Sequence, residues 1–448
     1  MSLSRRRFIE LALAAAGAAA AGPLRAGTAA PTPWYNWSGA LSSVPRRRIA
    51  PADEAELLQW LRGSSGPLRP VGSGHSFAPL VPTDGDLLVL ARHAGLRGVD
   101  RTGRRARVAA GTRLSDLGPL LEAEDQACPN MPDIDRQTLA GTLATATHGT
   151  GDFRAQHGYV SALRLATPAG EMLELDRSDE RFGAALVSAG ALGIVTEAEL
   201  ENRAPVRLEA HDFPEPLETV LAEWDDRVAA HRHFEFFPIP HCDHVFSLAI
   251  DETDAPIHNP PPTPEEEAEL YDALRLLMRT PLVARRMVAN RIVESLEPTR
   301  AVDTSYRILC NLRNQRFNEM EYSIPADRGM DCVRAVMDRI SDGIDIAFPL
   351  EVRYIAGDDA WLSMFEVVRR VSISIHDFAD RDPGPASVPS SRSCWRTEAG
   401  RTGARCTSLG REQLSALYPR FDDFRRLRAE LDPAGRLLND HLRSLFVG

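Results

Sequence analysis

The chain reads as an α+β protein, and three observations point there. Residues 34–202 alternate short apolar runs with glycine-rich turns. Helical spacing interrupts those runs irregularly, without the regular strand–helix repeat of a barrel or a doubly wound sheet. Beyond residue 203 the texture changes to longer runs that alternate apolar and polar residues, as half-buried strands do.

The first residues are a targeting segment. Ser4-Arg5-Arg6-Arg7-Phe8-Ile9 precedes the alanine-rich run LALAAAGAAAAG and then small residues around Ala26 to Ala30. A charged start, a short apolar stretch and a small-residue cleavage region define a signal peptide over residues 1–30. The arginine pair followed by Phe8 gives it a twin-arginine character. The apolar run is shorter than the ~20 residues that a membrane span needs. Export to the periplasm or beyond is therefore expected, with membrane association left open.

After the leader, residues 55–62 (AELLQWLR) have helical spacing and residues 68–71 read as a strand entering a loop. Residues 87–90 and 106–110 are two further short strands, and residues 114–124 a helix with Ser115 as its cap. Residues 190–196 (GALGIVT) are a glycine turn leading into a strand. In the second half, HFEFF (233–237), EMEYSI (319–324), LEVRYI (350–355) and VSISIH (371–376) read as strands. The proline-rich acidic stretch 258–267 is an expected exposed loop before a helix running through Leu277. A final helix is expected over residues 410–431, ending at Asp432-Pro433.

Composition excludes several classes. Over 448 residues the net charge is −11, which is no footprint for nucleic acid. All 52 basic residues are arginine, because lysine is absent. Six scattered cysteines form neither a zinc spacing nor a disulfide scaffold. His241-Cys242-Asp243-His244 groups ligand types, but adjacent residues of an extended segment face opposite ways, so no metal is expected.

Three segments of small residues carry the chemistry. Pro70 to Phe77 (PVGSGHSF) has two glycines but lacks the third of the dinucleotide fingerprint, since Phe77 holds that place. Gln137 to Gly151 (QTLAGTLATATHGTG) and Ala189 to Thr196 share its texture. Glycines permit close backbone approach to a phosphate or a flat ring, so three such segments can line one elongated ligand.

Taken in order with HFEFFPIPH, FNEMEYSIP, FPLEVRYI, VSISIHDFADRDP and YPRFDDFRRLRAELDPAGRLLND, these segments resemble the vanillyl-alcohol oxidase superfamily. Within it the likeness is to the sugar-lactone and alditol oxidases, the D-arabinono-1,4-lactone oxidase type, and covers nearly all the chain after the leader. The resemblance implies a PCMH-type FAD-binding domain over residues 31–203. A mixed α/β substrate (cap) domain follows over 204–448, with a C-terminal segment that contacts FAD. It implies that FAD is bonded covalently through His75 and lies against Val71, Gly72, Ser73, Gly74, Ser76, Gly141, Thr145, His148, Gly149, Gly151, Gly193, Ile194 and Val195. Pro132 would control oxygen access, and Asp133 would lie near the substrate hydroxyl.

Glu351 and Arg353, two residues apart on one strand, share a face. A buried structural ion pair is the plainer reading of that spacing. The resemblance instead seats both over the flavin, with Glu351 orienting hydroxyls, Arg353 stabilising negative charge and His376 acting as base. The implied reaction is oxidation of a sugar lactone or polyol, with O2 as the acceptor and H2O2 as product. A same-fold dehydrogenase using a quinone or cytochrome is the alternative. The sequence says nothing of oligomeric state.

One stretch departs from the pattern. Residues 384–407 stand where the family has H-G-G-R-P-H-W-G-K-x-H, whose lysine faces the flavin. Read one base out of frame, Thr397 to Ala404 can encode G-G-R-P-H-W-G. Two compensating frameshifts would explain this, which the nucleotide sequence decides, and an inactive flavin-binding product is the corresponding alternative.

Overall fold

The computed structural model describes residues 32–259, 264–311, 315–381, 403–404 and 410–447, and Pro33–Gly448 forms one compact unit. The leader and most of residues 384–407 lie outside the described residues, so neither expectation is addressed by the fold.

Helix α1 (Glu54–Arg62) starts where Asp53 Oδ1 accepts the Glu56 N–H at 2.9 Å, and its Leu57 and Leu61 stripe is buried. Strands β1 (Arg47–Ile49), β2 (Leu68–Val71) and β3 (Asp86–Val89) form a small parallel sheet in the order β1-β3-β2. An antiparallel sheet follows, built from β4 (Leu96–Asp100), β5 (Arg105–Ala109), β6 (Val160–Ala166), β7 (Met172–Asp176) and β8 (Ile194–Glu201) in the order β4-β5-β8-β6-β7. Helix α2 (Leu114–Glu122) takes Arg113 as its cap residue. Ser115 is thus inside the first turn, its N–H given to Asp135 O at 2.9 Å, and is not the cap. Helix α3 (Leu139–Ala144) carries the middle glycine segment.

The second sheet system is one eight-stranded sheet. Its strands are β9 (Arg207–Pro216), β10 (His233–Pro238), β11 (His244–Glu252), β12 (Thr299–Thr304), β13 (Phe317–Pro325), β14 (Glu351–Ile355), β15 (Arg370–Phe378) and β16 (Gly403–Ala404). They lie in the order β12-β9-β11-β10-β14-β15-β13-β16. Alternation sorts its two faces. Phe234, Phe236, Tyr322, Val352, Tyr354, Ile373 and Ile375 pack beneath helices α4 (Leu217–Ala230) and α7 (Gly329–Ser341). The residues between them, Glu235, Glu321, Glu351, Arg353, Ser372, Ser374 and His376, share the other face.

Two expectations are corrected here. Helix α5 (Pro264–Arg279) begins inside the expected loop, with proline at its first position, where no N–H is needed. It is followed by α6 (Leu282–Val293). The single C-terminal helix is two, α8 (Arg411–Leu417) and α9 (Phe421–Leu431), because Pro419 cannot continue the first. A further helix, α10 (Asp440–Phe446), follows them. Phe421, Phe424, Leu427, Leu438, Leu442 and Phe446 join the core of the N-terminal sheets rather than that of the eight-stranded sheet.

Arg69 fastens this return. It is 2% exposed, and its guanidinium donates to Gly190 O and Ala189 O, both at 2.9 Å, and to Leu437 O. Burial lowers its pKa to about 9, opposed by Asp432. Three carbonyls, that of Leu437 buried and those of Ala189 and Gly190 partly so, lose their donor if this side chain is replaced by an apolar one. Arg69→Met is therefore expected to cost about 3 kcal/mol or more of stability, read by chemical denaturation, with lowered FAD retention.

Candidate active site

The three glycine segments meet along a cavity of about 680 Å³, within the range of small-molecule sites. Val71, Gly72, Ser73, Gly74, His75 and Ser76 form one wall. Gly141, Thr145 and His148 form a second, Gly193, Ile194 and Val195 a third, and Pro132 and Asp133 also line the space. The glycines are there for closeness: a Cβ on Gly72 would stand 2.1 Å from Thr138 Oγ1. Gly74 has φ +72, the left-handed conformation that glycine adopts freely, and turns the chain under Trp34.

Gly149 and Gly151 do not line the cavity. A Cβ on Gly149 would lie 2.2 Å from Met131 O, and Gly151 donates its N–H to Tyr354 O at 3.0 Å with φ +107. Their glycine requirement comes from close packing, of Gly149 against Asn130-Met131 and of Gly151 against Phe153 and His233.

His75 stacks on Trp37, with ring centroids 4.9 Å apart. Burial, helped by Arg136, lowers its pKa to about 4, so the ring is neutral at physiological pH. The residues lining the cavity fit a flavin dinucleotide. Backbone is bare along one side, and Gln137 Oε1 is a buried acceptor with no protein partner.

The opposite wall is the polar face of the eight-stranded sheet, reached through Glu319, Glu351, Arg353 and His376. Arg353 Nη2 lies 3.0 Å from Glu351 Oε2 and 3.0 Å from Glu321 Oε2. Ser374 Oγ donates to the same Glu321 oxygen at 2.9 Å. Glu321 Oε1 in turn meets His148 Nε2 at 3.0 Å, while His148 Nδ1 meets Gly149 O at 2.8 Å. A carbonyl only accepts, so Nδ1 carries a proton, and a second proton must lie between Nε2 and the carboxylate. His148 therefore joins the buried charge network as well as ordering its loop.

Burial raises the pKa of Glu351, opposed by Arg353, and burial with Glu351 nearby raises that of Glu235. Burial alone would lower Arg353, but the surrounding carboxylates raise it, so it remains a cation. His376 donates Nδ1–H to Pro349 O at 3.2 Å, which directs Nε2 away from that carbonyl. Its register partner across the sheet is Glu319. Asp133 binds the loop at Asn311, through its carbonyl to the Asn311 N–H at 2.6 Å and through its carboxylate to the Asn311 amide.

Sequence reading missed Glu235, Glu319 and Glu321. Period-2 acids in EMEYSI were the available signal, the same pattern that singled out Glu351 and Arg353. His241, Cys242, Asp243 and His244 turn to Ile344 O, Asn290 and Arg286, and among the described residues no metal-binding group is found.

The His75 shift gives a pH dependence with a definite sign. Its folded pKa is below the unfolded one, so the unfolded chain binds the extra proton between pH 4 and 6.5. Stability is thus present above that window and is lost as pH falls through it. Asp212, raised by burial to about 6, acts in the opposite sense across part of the same range. In flavin-free protein His75→Gln is expected to remove about 2 kcal/mol of the stability gained between those limits, measured by urea denaturation at each end.

Comparisons with known proteins identify the family and the fold. Residues 198–445 match the family model of D-arabinono-1,4-lactone oxidase, and residues 45–176 that of an FAD binding domain. The chain is 32% identical to L-gulono-1,4-lactone dehydrogenase of Mycobacterium tuberculosis, over 92% of this chain and 99% of that protein. It is 27% identical to alditol oxidase of a Streptomyces species over 92% and 99%. The crystal structure of cholesterol oxidase from Brevibacterium sterolicum superposes with a TM-score of 0.73 at 14% identity, covering 92% and 96% of the two chains, and so shares the fold. With its C-terminal half matched by one family model and a relative aligned along almost its full length, the chain belongs to the D-arabinono-1,4-lactone oxidase family, FAD-dependent oxidoreductases that act on CH–OH groups.

Proposed function

We propose that the protein is an exported oxidase of a sugar-derived hydroxyl compound, an aldono-1,4-lactone or an alditol, that passes electrons to O2 and holds its FAD through His75. The observation that carries this reading is the pairing of two unlike walls. One is bare backbone with a neutral histidine; the other is a polar sheet face with a fixed cation and an imidazole, His376, anchored through Nδ1 to Pro349 O.

FAD would lie along Gly72 to Ser76, Gly141, Thr145 and Gly193 to Val195, and supplies the two-electron acceptor when bound. His376 Nε2 takes the hydroxyl proton of the substrate. Arg353, clamped by Glu351 and Glu321, stabilises negative charge on the substrate oxygen as that proton leaves. Glu351 and Glu319 accept hydrogen bonds from neighbouring hydroxyls, which favours polyhydroxylated substrates over simple alcohols. The neutral His75 imidazole has a lone pair free to bond carbon, as a tether requires. Retention of the cofactor suits an enzyme carrying the twin-arginine leader of residues 1–30.

A second reading, a dehydrogenase with a quinone or cytochrome acceptor, is favoured by the mycobacterial relative, itself named a dehydrogenase. Pro132, lining the cavity at the position that the resemblance assigns to oxygen control, supports the oxidase.

The test is anaerobic mixing with aldonolactones and alditols. Loss of the yellow absorbance, then stoichiometric peroxide on admitting air, is expected, with His376→Ala slower by roughly 10²–10⁴-fold. Turnover restored only by a quinone supports the dehydrogenase. Failure of every such substrate to bleach the flavin rejects both, and recovery of bleaching once residues 384–407 are re-encoded in the shifted frame traces that failure to the missing lysine. Yellow fluorescence is expected to stay with acid-precipitated wild-type protein and to be released from His75→Ala.

A further inference from the structure

Arg353 has more acids around it than its ion pairs use. Glu235 is 7% exposed and stands on β10, the neighbour of β14 in the eight-stranded sheet. Phe236 pairs with Val352, and Leu350 gives its N–H to Pro238 O at 2.8 Å. The same register, carried one residue on, sets Glu235 across from Arg353 on the polar face.

The other acids of that face are bonded. Glu351 and Glu321 each hold Arg353 Nη2 at 3.0 Å, and Glu321 also accepts from Ser374 Oγ and meets His148. Glu235 makes neither a hydrogen bond nor an ion pair among the described residues.

Charge decides the form that Glu235 takes. His148 and Glu321, with the proton between them, are neutral as a pair. Arg353 and Glu351 cancel in the same way. An ionised Glu235 would add a negative charge with no donor to receive it, which a desolvated site does not support. Burial and the neighbouring Glu351 push its pKa well up, against the pull of Arg353. The remaining groups that face it bring no second cation. Asp133, beside the cavity, and Asp212, on β9, raise it further. Leu248 is its partner on β11, and His233, two residues back on its own strand, is lowered to about 4 by burial and is neutral.

Arg353 has capacity to spare as well: its Nε is buried without a hydrogen-bond partner. A carboxylate formed at Glu235 would compete with Glu351 and with the substrate oxygen for that guanidinium.

We propose that Glu235 is a positioning residue of the reaction: as a neutral acid it leaves the Arg353 cation to Glu351 and the substrate oxygen, and its ionisation draws that cation away. The proposal rests on the role given to Arg353 above and adds an alkaline limit to activity. The rate falls as pH rises through the ionisation of Glu235.

The test compares wild-type protein with Glu235→Gln, which keeps the shape of the neutral acid. In flavin-free protein at neutral pH, infrared difference spectroscopy is expected to show the carbonyl stretch of a protonated carboxyl group that the variant lacks. Urea denaturation of the same protein should find the variant gaining on wild type as pH rises above the ordinary glutamate range. The folded wild type there holds a proton that its unfolded chain has released. In flavin-loaded protein, anaerobic bleaching at limiting substrate should fall about tenfold per pH unit on the alkaline side in wild type and stay within about twofold in Glu235→Gln. Glu235→Asp, which changes the reach to Arg353, should move the midpoint of that fall. An absent carboxyl band overturns the proposal, as does an alkaline fall unchanged in Glu235→Gln. Failure of every lactone and alditol to bleach the flavin sinks the proposed function instead, while the flavin-free comparisons still support or overturn the neutral Glu235.

Discussion

The buried guanidinium of Arg353 is the contact around which the active-site half of the molecule is organised. It bridges Glu351 on its own strand and Glu321, with His148 at the far side of Glu321. These groups come from the sheet and from the glycine segment that lines the flavin cavity. Removing the cation would leave two desolvated carboxylates facing each other, an arrangement that a low-dielectric interior does not tolerate. One ion network therefore both closes the two sheet systems onto each other and sets the charge beneath the substrate.

That network costs stability in isolation, because desolvated ions are seldom worth more than a well-packed apolar cluster. Its presence at the wall of a cavity gives it a chemical meaning. Arg353 is held as a cation by its carboxylates, while burial raises the pKa of Glu351 and Glu235. Divergent ionisation within one cluster is what a site that moves protons at neutral pH requires. The opposite wall is tuned differently: the His75 ring is kept neutral by burial, stacked on Trp37, and presented by a loop that glycine alone could bring so near Thr138.

The C-terminal helices complete this architecture from outside the order of the sequence. Arg69 ties Leu437 to the Ala189-Gly190 turn, and Tyr418, Phe421 and His441 reach the same cavity as the glycine segments. The cofactor side is thus built from both ends of the chain, with the eight-stranded sheet contributed by the middle.

By itself the sequence determined local elements and the period-2 placement of Glu351 and Arg353 on one face, since alternation is a property of the backbone. It also placed Gly72, Gly74 and His75 in a loop after a strand. The tertiary structure alone decided that Gly149 and Gly151 serve packing, that Glu321 and His148 share a proton, and that Pro419 divides the last predicted helix into separately packed pieces. Those outcomes depend on partners distant in sequence. Glu321 lies 173 residues from His148, and Arg69 lies 368 from Leu437. Local pattern fixes which way a side chain points; only the packed chain decides what waits there to meet it.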